Sequence, residues 1–401
     1  MTAEGLARRN VLILAAAQAL GGASPSIIVS LGGVVGQVLA PSAFLVTLPV
    51  SLYQLGLALG TVPAAFIMRR HSRRSGYLLG ASIGLVSGLV ATLGIVAATF
   101  ALFCLGTFLA GFYGSFVQSY RFAATDAAPI EFRAKAISRV MIGGLVAGVI
   151  GPQLVIWTRD AFAGIPLAGS FLSQAALALL ALPLLALLRT PKVVAASAVA
   201  GTGRPLREIV STQRFMLAAA TGIISYGLMS FVMTAAPIAM IGCGHTIGEA
   251  ALGIQWHILA MFGPSFFTGH LIARFGKERV SAFGLLLIAC SAAVALSGLA
   301  IAHFWISLVI LGVGWNFGFI GATAMITDSY APEERSKAQG ANDFLIFGTV
   351  AAASFSSGAL LNTAGWATIN WMIFPAVALV LVPLLLRAAK AKSGPATATV
   401  C

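Results

Sequence analysis

Two short patterns hold the residues best suited to chemistry in this sequence, Met229-Ser-Phe-Val-Met233 and His257-Ile-Leu-Ala-Met261. On a helix, a spacing of four places both members of a pair on one face, one turn apart. Thioether and imidazole donors without a carboxylate suit a soft monovalent ion, Cu(I) above all. Hard ions such as Mg²⁺ or Ca²⁺ want oxygens instead. Methionine is also a common apolar filler, so packing is the competing reading of either pair. The loop between the patterns reads Gly242-Cys243-Gly244-His245. Its thiol and imidazole could capture copper at the mouth of a path, with Met240 as a relay, or could simply sit in a glycine-rich turn. Glu249 reads as a helix N-terminal charge, and Cys104 and Cys290 as small buried apolar residues. There is no phosphate-binding loop, nucleophile triad or His/Cys zinc cluster, so enzymatic catalysis and ATP-driven transport by this chain are unsupported.

The elements that must position these residues are membrane helices. The 401 residues are 59% apolar and only 9% charged, and the mean hydropathy is +0.97. A soluble domain carries about 25% charged residues, so a soluble enzyme is excluded. The stretch from Val11 to Ala40 is too long for a signal-peptide core and reads as a retained first span. Twelve spans follow from the apolar runs: 11–39, 43–68, 76–97, 100–122, 139–158, 167–188, 214–241, 248–273, 280–301, 304–326, 339–361 and 365–387. At about 1.5 Å per residue, Met233 and His257 lie roughly 12–14 Å below the outer ends of spans 7 and 8. Met229 and Met261 lie at roughly 18–20 Å on the same reckoning, so the four could meet in level pairs near the midplane.

The charges orient the scheme. The net charge is +13. With both termini in the cytoplasm, every Lys and Arg except Arg159 falls on the cytoplasmic side, as the positive-inside rule requires. The basic excess is therefore topology, and no nucleic-acid partner is expected. Asp343 lies about a turn inside span 11 and could relay protons. It could also form an ion pair with Arg69, Arg70, Arg73 or Arg74 where two halves of the molecule meet. Tyr53, Gln54, Tyr113, Gln118, Gln153, Trp315 and Asn316 could line a cavity or serve as interhelical hydrogen-bond glue. Gly148-x-x-Gly151-Pro152 marks a close-packed kink in span 5.

The chain also repeats. Asp126, Glu131, Arg133, Lys135 and Ala136 recur as Asp328, Glu333, Arg335, Lys337 and Ala338. Ala65-x-Ile67-x-Arg69-Arg70-x-Ser72-Arg73-Arg74 is answered by Gly269-x-Leu271-x-Ala273-Arg274-x-Gly276-Lys277-x-Arg279. The expected fold is an all-α membrane protein with twelve transmembrane helices in two pseudo-symmetric six-helix bundles. The bundles are 1–188 and 214–392, joined by a polar cytoplasmic linker at 189–213 and followed by a tail at 393–401. The basic loops resemble the Gly-x-Leu-x-Asp-Arg-x-Gly-Arg-Arg signature of the major facilitator superfamily, with Arg69 and Ala273 standing where its acidic residue is expected. That resemblance implies alternating access by rocking of the halves, with Asp343, Arg69, Arg70, Arg73, Arg74 and Arg274 as gating or coupling residues. The ordered pair of soft motifs resembles the CcoA-type copper importers. It implies Met229, Met233, His257 and Met261 as ligands of copper, which is the transported substrate; no permanently bound cofactor is expected. It further implies import across a bacterial inner membrane, supply of cbb3-type cytochrome c oxidase, and copper chaperones as partners. The alternative is a proton-coupled exporter of small organic compounds, its methionines lining an apolar cavity.

Overall fold

The computed structural model describes residues 3–126, 130–189 and 203–390, and all regular structure among them is helical. Hydrocarbon offers backbone groups no water, so each crossing segment must satisfy its own hydrogen bonds, which a helix does. Spans 1 to 7 are Gly5–Leu39, Ala43–Arg70, Arg73–Val96, Phe100–Ala124, Ala136–Thr158, Ala168–Ala186 and Gln213–Gly242. Spans 9 and 10 are Lys277–Leu296 and Ile301–Ile326. Span 8 is broken, its parts Ile247–Phe262 and Ser265–Phe275 meeting at 42°. Pro264 lies at the break, where it can donate no backbone hydrogen bond. The last apolar segment, Lys337–Arg387, has 51 residues. Straight, it would reach about 75 Å, more than twice the roughly 30 Å of a bilayer core. Gly365 breaks it with φ 78° and ψ 175°, in a region only glycine adopts freely. Spans 11 and 12 lie on either side, which completes the twelve.

Boundaries differ from expectation by a few residues. Span 1 starts earlier because its helix carries Arg8 and Arg9 beyond the apolar run. Span 9 ends at Leu296 rather than near 301, because the chain already turns at Gly298 against the His303 ring. The tail at 393–401 and most of the linker lie outside the described residues. The described end of the linker forms a short helix, Leu206–Val210.

The packing is two-fold. Spans 2 and 4, 3 and 4, 3 and 6, and 1 and 5 pack in the first half. Their counterparts 8 and 10, 9 and 10, 9 and 12, and 7 and 11 pack in the second. The halves meet through spans 5 and 8 and through spans 2 and 11, pairs that exchange under the same symmetry. Spans 2 and 4 cross closely at two glycines. A Cβ on Gly111 would collide with the Tyr53 carbonyl oxygen, and one on Gly56 with that of Phe108. Gly148 and Gly151 do the same for span 5: ideal Cβ atoms there would lie 2.6 Å from Ile258 of span 8 and from Ser26 of span 1. Pro152 sits within a continuous helix.

On the arginine-rich face, called here the basic face, two ion pairs brace the second half. Lys277 at the start of span 9 pairs with Asp328 after span 10. Arg204 of the linker holds Glu334, with Nη2 to Oε2 at 2.8 Å and Nε to Oε1 at 2.9 Å. Backbone N–H groups of Arg204 and Ala331 donate to the same carboxylate. These donors pull the Glu334 pKa down to about 2, the Arg204 hydrogen bond being the largest cause. A depressed carboxylate contributes stability above its ordinary pKa, near 4.5, and loses it as pH falls towards 2. The hydrogen-exchange protection of the Leu206–Val210 helix, corrected for intrinsic rates, is therefore expected to fall between those pH values, and Glu334→Gln to show the reduced protection at neutral pH. Equal protection of both chains at pH 7 would remove this role from Glu334.

Candidate functional site

A cavity lies between the halves, walled by spans 1, 2, 4 and 5 on one side and by spans 7 and 8 on the other. Span 4 supplies Gly114, Val117, Gln118 and Arg121, a single helical stripe. Span 7 supplies Tyr226, Met229, Ser230, Met233 and Thr234. From span 8 come Ile258, Met261 and Phe262, the residues just before its break. Tyr53 and Gln54 of span 2 and Gln18 of span 1 add polar groups.

The wall is held rigidly from behind. Asn316 of span 10 is fully buried at the break in span 8. Its Nδ2 donates to the Met261 carbonyl at 2.6 Å and to Ser265 Oγ at 2.7 Å, while its Oδ1 accepts from Thr268 Oγ1 at 2.6 Å. Tyr226 stands edge-on to Trp315, Phe319 and Phe347, with centroids 5.3, 5.1 and 5.9 Å away. Phe262 leans on Trp315 at 6.0 Å.

Towards the face opposite the arginines, the far face, the halves are sealed by neutral groups. Ser354 Oγ lies 3.2 Å from Ser51 Oγ and 3.1 Å from Thr234 Oγ1. Thr47 donates to the Phe355 carbonyl at 3.3 Å, Asn362 to that of Ala43 at 2.9 Å, and Gln153 to Gln255 Oε1 at 2.9 Å. The Phe44 and Phe355 rings meet edge-on at 4.9 Å. The cavity therefore lies on the basic-face side of a closed seam.

The structure brings Met229, Met233 and Met261 to this cavity and leaves His257 out of its lining. His257 is fully buried, and its Nδ1 lies 2.6 Å from the Leu308 carbonyl of span 10. Span 10 comes this close because of Gly312, whose Cβ would lie 2.6 Å from the His257 carbonyl oxygen. Cys243 is exposed, Met240 is buried, and the His245 Nε2 lies 2.9 Å from the Leu299 carbonyl, tied to the turn after span 9. Glu249 caps its helix through Thr246 in a reciprocal capping box. Cys104 is buried as expected, whereas Cys290 is exposed on the outer surface of span 9.

Of the residues expected either to line a cavity or to bind helices together, Tyr53, Gln54 and Gln118 line it. Gln153, Trp315 and Asn316 bind elements behind it, and Tyr113 is buried against Gly84 and Gly21. Arg69 and Arg70 end span 2, Arg73 and Arg74 begin span 3, and Arg274 lies over the Phe275 ring. Asp343 accepts from Asn342 and interacts electrostatically with Arg121. Arg121 and Tyr226 join the site beyond the residues expected from sequence. For Arg121 the signal lies in span 4, where 114, 117, 118 and 121 follow helical spacing and end in a cation inside an apolar run.

The sequence pattern of the Major Facilitator Superfamily matches residues 11–266 and 258–399. The chain belongs to this superfamily. It is therefore a multi-pass membrane transporter rather than an enzyme. This facilitator is 64% identical to the riboflavin transporter RfnT of Brucella anthropi, over 96% of its own length and 98% of that protein's. It is 32% identical to the uncharacterised transporter YdeG of Bacillus subtilis, over 95% and 92% of the two chains. Its fold matches a mutant form of the nucleoside transporter NupG with a TM-score of 0.75 at 13% identity, covering 94% of this chain and 99% of that one.

These relationships overturn copper import, and with it the supply of cytochrome oxidase and the resemblance to copper importers. A relative this similar over nearly its whole length is a riboflavin transporter. The exporter alternative gains nothing, since the drug efflux pump JefA of Mycobacterium tuberculosis matches at 28% over only 32% of this chain. The geometry gives the physical reason for the misreading. Three of the four soft side chains share a cavity because it is apolar there, and the fourth is turned towards a backbone carbonyl of span 10.

Proposed function

We propose that this facilitator carries riboflavin across the bacterial cytoplasmic membrane by alternating access. The observation that carries this reading is the 64% identity to a riboflavin transporter along almost the full length of both chains. The cavity supports it chemically. Riboflavin joins a flat, largely apolar ring system to a polar carbonyl edge and a polyol tail. Thioethers, aromatic rings, amides and a guanidinium together suit such a molecule. The basic face is the cytoplasmic one on the charge asymmetry, and span 1 begins and span 12 ends there. The sealed far face then makes this the inward-facing conformation. When the basic face closes in its turn, Asp343 on span 11 approaches the Arg69–Arg74 corner between spans 2 and 3, because spans 2 and 11 already pack together.

The test is uptake in a riboflavin auxotroph that lacks its own transporter. Expression of this chain should restore growth on low riboflavin and give saturable uptake of the labelled vitamin, with counterflow from preloaded vesicles. Normal membrane insertion without either activity would refute the reading.

A further inference from the structure

Among the described residues, Arg121 is the charged residue on the cavity wall. A guanidinium facing a cavity inside a span is costly, and such residues are kept where they meet a partner or a pathway. Arg121 meets both. It interacts electrostatically with Asp343 and with Tyr226, and its side chain lies over the Phe122 ring at 4.9 Å. Its Nε is nevertheless buried without a hydrogen-bond partner. A planar fork of donors is thus held on one side of the cavity with a donor to spare. Gln118 lies one turn before it, and Gln18 faces the same space from span 1. Met229, Met233 and Met261 with Phe262 and Ile258 form an apolar patch on spans 7 and 8, while Ser230, Thr234, Tyr53 and Gln54 add neutral polar groups to the lining. The charge on the wall therefore sits on the first half, across the cavity from the methionine patch on the second.

A flavin ring is polarised in the same sense. Its pyrimidine edge carries two carbonyls and the acceptor N1, and its far ring is a dimethylbenzene. Building on the riboflavin reading above, we propose that the ring binds in one orientation, with Arg121 donating to the pyrimidine edge and the dimethylbenzene ring among the three methionines. Arg121 is then the residue that selects for the carbonyl edge, with Asp343 a longer-range counter-charge to its guanidinium. The methionine sulfurs do apolar work, since thioether contact with an aromatic ring is favourable and adaptable. Tyr226, stiffened by the aromatic cluster behind it, forms a flat side wall for the ring.

Each edge has its own variant and its own probe. Arg121→Gln should raise the KM for riboflavin about ten- to hundred-fold, as loss of a charge-assisted hydrogen bond predicts, and should leave kcat within a few-fold. Inhibition of transport by lumiflavin, the ring without its polyol, should weaken by the same factor. Inhibition by phenazine, a tricycle without carbonyls, should not weaken. Arg121→Lys should recover part of the loss. Met229→Gln should favour 8-hydroxy-8-demethylriboflavin over riboflavin, a preference that Arg121→Gln should leave unchanged. An unaltered riboflavin KM in correctly inserted Arg121→Gln protein would overturn the proposal, as would equal losses of lumiflavin and phenazine inhibition. Failure of the unmodified chain to transport riboflavin would instead sink the underlying reading, whatever Arg121 does.

Discussion

Replacing Gly111 with leucine should abolish the proposed riboflavin transport and destabilise the folded protein by about 3 kcal/mol, the upper range for overpacking a close contact. Gly111 of span 4 lies directly against the Tyr53 carbonyl of span 2, where not even a methyl group fits. The obstacle is backbone, which cannot rotate away as a side chain can. Span 2 must retreat, and Tyr53 and Gln54 leave the cavity wall with it. Gly111→Ala should show the same effects in milder form. Gly114, one turn on, provides the contrast. Its Cβ would meet the Tyr53 hydroxyl at 3.1 Å, the far end of a side chain, so Gly114→Ala should keep most activity. Thermal midpoints in detergent and uptake at matched membrane abundance read both effects. An unshifted midpoint for Gly111→Leu would mean that the two helices do not cross this closely.

Ser354→Leu should drive the molecule towards the conformation open at the far face. Ser354 is fully buried where spans 2, 7 and 11 meet, its hydroxyl between those of Ser51 and Thr234. Leucine adds bulk to that junction only while the seam is closed. A penalty of about 1–3 kcal/mol shifts the populations roughly five- to 150-fold. Ser354→Ala removes the hydroxyl contacts without adding bulk and should shift them much less. Asp343→Asn should move the balance the opposite way, because it weakens closure at the basic face. The reporter is Met233→Cys in a chain whose own cysteines are serine, labelled from the far face with an impermeant maleimide. Labelling should rise in Ser354→Leu and fall in Asp343→Asn. Equal labelling of all the chains would remove Ser354 from the gate.

The spans were legible in the sequence because each is an apolar run bounded by charge or turn residues, and bilayer thickness limits where it can end. The break in span 8 was less so. Pro63 and Pro264 hold comparable places in the two halves, yet Pro63 lies within a continuous helix. At the second position Asn316, Ser265 and Thr268 rearrange the hydrogen bonds, a tertiary matter that local sequence does not express. The site was half legible. The spacing of Met229 and Met233 correctly placed both on one face, and that face borders the cavity. His257 and Met261 share the same spacing, yet only Met261 borders the cavity, because the His257 ring turns to the Leu308 carbonyl of span 10, 2.6 Å away. Side-chain softness was read as a metal preference, whereas a thioether serves a flat organic ring equally well. Arg121 was hidden by its place near a span end, where positive charge is expected for topological reasons alone.

The far seam has an electrical consequence. Thr47, Ser51, Gln153, Thr234, Gln255, Ser354 and Asn362 join the halves there without a formal charge among them. A membrane potential acts on a moving charge with about 2.3 kcal/mol per 100 mV and does no work on a neutral group. Breaking and remaking these contacts therefore moves no formal charge. Arg121 and Asp343 bring opposite charges to the other end of the cavity, and as long as they move together their contributions cancel. Riboflavin, the proposed substrate, is itself uncharged. A cycle built from these parts is indifferent to voltage unless a co-transported ion enters the cavity with the vitamin, so the current per turnover counts such ions directly.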